Sequence, residues 1–173
     1  ILFFLVICYG VYMLCGKTVK QKNVILLVSS LIFYAWGGPV LCLLLCLEAG
    51  VCYAGGLIIE KIKEKKTKLA LTWVTVLTCI SLLVFFKYTG FFSSNIINLF
   101  GIDATPISIA LPIGISFYTF QLISYVIDVY RGEVAAQKKY WLLLLYASLF
   151  HQCIAGPIVR YSDINHELEN RAV

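Results

Sequence analysis

The sequence predicts an all-α fold: a multi-pass membrane helix bundle of about six membrane segments, the last broken or re-entrant. Three observations carry this. The 173 residues are 61% hydrophobic and only 13% charged, with a mean hydropathy of +0.89, whereas soluble domains run near half apolar and a quarter charged. The apolar residues gather into long runs. The basic residues collect where those runs stop. A soluble core does not explain this composition, because too little polar surface remains to face water.

The first run, Ile1–Cys15, has neither the basic start nor the small-residue cleavage pattern of a signal peptide. It reads as a membrane helix already under way at Ile1, with no initiator Met. The other end, "DINHELENRAV", turns polar without a closing element. The chain therefore reads as a piece of something longer. After the first run come Lys17, Lys20 and Lys22, and then apolar residues from Val24 to Ile59. As one helix that stretch would measure roughly 54 Å at about 1.5 Å per residue, too long for a single crossing of an apolar core about 30 Å thick. "GGP" at Gly37–Pro39 interrupts it, so Val24–Trp36 and Val40–Ile59 are expected as two crossings joined by a tight turn.

"EKIKEKKTK" follows, with Lys61, Lys63, Lys65, Lys66 and Lys68. Leu69–Phe86 then crosses outward, Lys87–Pro106 forms the outer stretch, and Ile107–Ile127 returns. Arg131, Lys138 and Lys139 mark the next exit, and Trp141–Ile154 is the sixth run. Cytoplasmic loops collect Lys and Arg. By that rule 11 of the 14 basic residues lie inside and Lys87 outside, with Arg160 and Arg171 unassigned. The net charge of +5 thus follows from membrane exits and implies no nucleic acid. Membrane lipid is the expected surrounding. The seven cysteines lie almost wholly within apolar runs and lack zinc-type spacing with histidines, so no metal is implied.

The fifth run raises a question of chemistry. Gly114, Tyr118, Gln121, Tyr125 and Asp128 follow steps of four and three, with Ser124 at the edge, so they share one helix face. Ile115, Leu122, Ile123 and Val126 lie opposite, toward lipid or other helices. Such a polar stripe either joins helices or lines a water-filled path. Asp128 and Arg131 also suit an interfacial ion pair. The sixth run favours the path: it is short for a crossing and then gathers His151, Gln152, Gly156, Pro157 and Arg160. Pro157 removes a backbone donor, and irregular backbone at membrane depth persists only inside protein or beside a cavity.

These residues also carry a resemblance. "LPIGISFYTFQLISYVIDVYRG" at Leu111–Gly132, then "SLFHQCIAGPIVRYSDI", resemble the signature of the membrane-bound O-acyltransferases, in the bacterial branch that O-acetylates alginate and other exopolysaccharides. "SSLIFYAWGGP" and, more weakly, "FKYTGFF" are similar to the same branch. The resemblance runs through essentially the whole chain. It implies an incomplete amino-terminal part, residues 1–173, of a single acyltransferase domain in a bacterial cytoplasmic membrane.

On that resemblance an acyl group, acetyl above all, moves from a cytoplasmic donor to a hydroxyl of an extracytoplasmic polysaccharide. Acetyl-CoA or an acyl-carrier thioester serves as co-substrate, with no bound cofactor. An acyl carrier or an extracytoplasmic acetyltransferase is a possible partner protein. The family's catalytic histidine, in a W-H-G-type motif, has no counterpart here and is expected downstream. Tyr118, Gln121, Ser124, Tyr125, Asp128, His151, Gln152 and Arg160 are candidates to line the tunnel. A structural role suits Gln152 and Arg160 equally, and suits His151 better than that of a base. Two other readings remain: a transporter or channel subunit, disfavoured by the lack of an internal repeat, and a catalytically inactive scaffold of a polysaccharide-modifying complex.

Overall fold

A computed structural model describes residues 2–100, 105, 114–149 and 159–170. All regular structure among them is helical. Helix α1 spans Leu2–Cys15 and α2 spans Val19–Gly37. A reciprocal cap opens α2: the Thr18 hydroxyl accepts from the Gln21 N–H at 3.3 Å, and Gln21 Oε1 accepts from the Thr18 N–H at 3.2 Å. Two backbone donors that no helical carbonyl reaches are thereby satisfied.

The expected break at "GGP" is present. Helix α2 ends at Gly37, and Gly38 takes φ 145°, a region that side chains with a Cβ rarely enter. Helix α3, Pro39–Lys61, then begins with its proline at the first position, where the missing N–H costs nothing.

Helix α4 differs from expectation. It runs unbroken over Lys65–Phe100, so most of the expected outer stretch continues the helix. The physical reason is local. No proline follows Phe86 in this helix, and its polar side chains bond back to their own carbonyls instead of breaking the ladder. Ser93 donates to the Gly90 carbonyl at 2.9 Å, Ser94 to the same oxygen at 2.8 Å, and Asn95 to that of Phe91 at 2.9 Å. Such return bonds let small polar residues stay helical.

Helix α5 spans Ile115–Arg131 and closes at Gly132, φ 78°. The Gly132 N–H reaches the Val129 carbonyl and the Glu133 N–H that of Asp128, a glycine cap of the usual left-handed kind. Helix α6 covers Tyr140–Ser148 and α7 covers Tyr161–Asn170. The part of the fifth run before Gly114 and the expected break at Gly156–Pro157 lie outside the described residues.

Helix α5 is the hub. It packs most extensively on α3 and α4 and also meets α6 and α7. Its Ile115, Leu122, Ile123 and Val126 are all buried, so that face meets other helices, while Phe117 and Phe120 point outward. Close approach depends on two glycines of α3. A Cβ on Gly55 would meet Thr75 Oγ1 at 2.7 Å, and one on Gly56 would meet the Tyr125 hydroxyl at 2.6 Å. Small residues at such crossings let backbones come together where no hydrophobic effect drives association.

Around this core the surface is apolar. Phe3, Leu14, Trp36, Val40, Leu43, Trp73 and Leu99 are among the exposed side chains, a surface suited to lipid or further protein. Two helices are long and apolar enough to cross a membrane, over Cys42–Lys61 and Lys65–Ile97. The protein is thus a helical membrane bundle. Helix length and apolarity do not give the six crossings expected from the sequence: among the described residues the other helices are shorter, or carry lysines in their first turn, as α2 does.

Candidate functional site

The stripe on α5 is largely buried. Tyr118 and Tyr125 are fully enclosed, Gln121 is 2% exposed and Asp128 3%, and Ser124 is partly covered. Its two halves meet different surroundings.

The half nearer Gly132 is answered by protein groups. The Tyr125 hydroxyl accepts from the Gln137 N–H at 3.1 Å, and Gln137 Nε2 donates to the Tyr161 hydroxyl at 2.9 Å. The Tyr161 ring stands edge-on to Tyr125 at 4.8 Å and to Tyr146 at 5.2 Å, the arrangement that aromatic quadrupoles favour. Tyr146 in turn donates to the Val159 carbonyl at 2.8 Å, with Ser124 Oγ 3.4 Å and the Gln121 carbonyl 3.5 Å away. One node therefore ties α5, α6, α7 and the 132–139 connection together.

Asp128 belongs to the same end. The expected pairing with Arg131 is not formed: Arg131 lies 3.6 Å from Glu133 on the surface, because α5 turns it outward while Asp128 faces in. The Asp128 carboxyl instead faces the first turn of α7, near the Ser162 backbone N–H. A negative group there complements the helix dipole. Arg160 is exposed, immediately before α7, and its charge attracts Asp128. His151 and Gln152 lie outside the described residues.

The other half of the stripe faces α2 and α3. The Tyr118 ring meets Tyr34 edge-on at 6.3 Å. Next to it, Thr119 turns its hydroxyl toward Glu48 of α3. Sequence reasoning passed over Glu48, although a signal was there: a single carboxyl within "LCLLLCLEAGVCYAGG" marks a functional hypothesis at membrane depth. It is wholly buried. Nearby, the Cys52 and Cys79 sulfurs of α3 and α4 are 3.3 Å apart. No group of three or more metal-ligating side chains gathers among the described residues.

Helix α3 also grips the connection into α6. Glu60 Oε1 accepts from the Ala136 N–H at 3.0 Å, Tyr53 donates to the Lys138 carbonyl at 2.9 Å, and Tyr140 donates to the Cys46 carbonyl at 2.8 Å. Tyr53 lies about 12 Å along α3 from its end at Lys61, at about 1.5 Å per residue. The connection thus climbs back along α3 before α6 begins.

Fold and site define a membrane bundle organised around one helix with a buried polar face. Its relatives are O-acetylases. The chain is 36% identical over 97% of its length to the probable alginate O-acetylase AlgI of Pseudomonas putida, and equally to that of Pseudomonas aeruginosa. It is 29% identical over 84% of its length to the peptidoglycan O-acetyltransferase of Helicobacter pylori. The resemblance to the membrane-bound O-acyltransferases read from the motifs is thus borne out by curated relatives along nearly the whole chain. The chain spans about a third of the length of the curated relatives it matches, 35%, 33% and 32% of these three. Neither a family model nor a solved structure matches it.

Proposed function

We propose that this chain is part of a membrane O-acyltransferase that transfers an acyl group, acetyl above all, to a hydroxyl of an extracytoplasmic polysaccharide. The observation that carries the reading is the similarity to alginate O-acetylases along 97% of the chain. The donor is a cytoplasmic thioester, and the setting is a bacterial cytoplasmic membrane. The basic stretches Lys17–Lys22, Lys61–Lys68 and Arg131–Lys139, at helix ends and the turns between them, face the cytoplasm, with the shorter helices completing the crossings between them.

Acyl transfer to a sugar hydroxyl needs a base for its proton and donors for the developing oxyanion. In this reading the catalytic base belongs to the remainder of the full-length protein. This chain supplies part of the wall along which donor and acceptor are aligned. Tyr118 and Gln121 line the path. Ser124, Tyr125 and Asp128 hold the wall's shape through α6, α7 and the 132–139 connection, with Arg160 at the same end, and His151 and Gln152 are further candidates for the path on the resemblance alone.

Deleting the gene in its host is expected to remove acetyl esters from a surface polysaccharide, with the full-length gene restoring them. An unchanged ester content in the deletion strain would count against the assignment.

A further inference from the structure

Glu48 lies about 13 Å along α3 from Pro39, at about 1.5 Å per residue, about a third of the way along the Cys42–Lys61 stretch that is long and apolar enough to cross a membrane. Its side chain has no exposure at all. The Thr119 hydroxyl from α5 and the Cys79 thiol from α4 face the carboxyl, and Cys52 stands one turn further along α3. Among the described residues no Lys, Arg or His acts on it. Among them, too, neither carboxyl oxygen completes a hydrogen bond, and nor does Thr119 Oγ1.

Buried polar groups are almost always bonded, so two unanswered groups facing each other need an explanation. As a carboxylate, Glu48 could accept from the Thr119 hydroxyl, but a charge with no cation beside it among the described residues is very costly in so apolar a place. As a carboxylic acid it is uncharged and gains an O–H donor that the Thr119 hydroxyl opposite can accept. One proton thus answers both groups without a buried charge. Thr119 is flanked in sequence by Tyr118 and lies half a turn from Gln121, so a bond at Thr119 fixes the rotation of α5 about its axis at the proposed path.

We infer that Glu48 is a proton-binding site inside the bundle, a carboxylic acid that donates to Thr119 and so positions the polar face of α5. It acts through Thr119 and the rotation of α5, and is therefore a positioning residue. Only its consequence for acyl transfer rests on the proposed function.

The test uses the full-length protein in lipid. The infrared spectrum of the wild type minus that of Glu48→Gln, at neutral pH, is expected to show the C=O stretch of a protonated carboxylic acid. A carboxylate band in its place overturns the proposal, whether or not the protein transfers acetyl groups. On the same preparations, Glu48→Gln keeps an uncharged donor at the same reach and should retain acetyl transfer per folded molecule to within about twofold. Glu48→Leu and Thr119→Val should each lose about tenfold, which corresponds to about 1.4 kcal/mol. Loss of transfer in Glu48→Gln with Thr119→Val fully active would mean that the carboxyl moves a proton, and would overturn the positioning role. If the wild type transfers no acetyl group, the proposed function fails, while the infrared difference still decides the protonation of Glu48.

Discussion

Replacing Gly56 with valine should cost the bundle on the order of 1–3 kcal/mol or more, the range for forcing extra carbon into a filled core, and lower its melting temperature in detergent. The first added carbon would lie 2.6 Å from the Tyr125 hydroxyl and 3.0–3.1 Å from its ring carbons. A free tyrosine would swing aside. Tyr125 is held at both its tip and its face, by the Gln137 N–H at 3.1 Å and the Tyr161 ring at 4.8 Å. Moving it would therefore disturb the node that joins α5 to α6 and α7. Gly50→Ala is the control, because a Cβ there meets nothing within 4 Å and alanine is favoured over glycine inside a helix, so it should not lower stability. Adding Tyr125→Phe to the Gly56 variant should recover part of the loss. Such coupling is expected only of residues in contact, and strict additivity of the two changes would contradict the crossing described.

The second large effect falls on activity. Gln121→Leu in the full-length protein is expected to fold and insert almost normally while losing tenfold or more in acetyl transfer. An interhelical hydrogen bond in a membrane contributes only about 0.6 to 2 kcal/mol, which a large bundle absorbs. A contact made to the reacting groups counts differently, since each 1.36 kcal/mol of lost transition-state stabilisation is about tenfold in rate. Gln121 touches the tyrosine node through its backbone carbonyl, which the substitution leaves in place. If the amide served to join helices, the variant would melt early yet remain fully active per folded molecule. Melting and acetyl transfer measured on one preparation separate the two.

The parts of this architecture written in local chemistry were legible in the sequence. Gly37–Pro39 announced the joint between α2 and α3, because a positive φ and a proline at a helix start follow from single residues. The four-and-three spacing of Gly114, Tyr118, Gln121, Tyr125 and Asp128 gave the shared face of α5. Its partners were not legible. Whether Leu122 and Val126 face lipid or protein depends on where α3 and α4 lie, and spacing within one helix carries no information about that. The continuation of α4 past Phe86 was missed for a related reason. Thr, Ser and Asn read as loop formers, yet here they bond back along their own helix. Arg131 and Asp128 are close in sequence, and only the turn of α5 shows that one is outside and the other inside. Glu48 was visible as a lone carboxyl in an apolar run, but its meaning came from Thr119, distant in the chain and adjacent in space.

The central claim is that this bundle forms part of a route from a cytoplasmic acyl donor to an outer hydroxyl. Sealed vesicles of defined orientation, holding the full-length protein, test it directly. Labelled acetyl-CoA is supplied to one face and an acceptor polysaccharide to the other, and the labelled ester on the polysaccharide is counted. The account predicts ester only when the donor meets the face bearing Lys61–Lys68 and the acceptor the opposite face. Ester formed only in the reverse arrangement, or in neither, would contradict it.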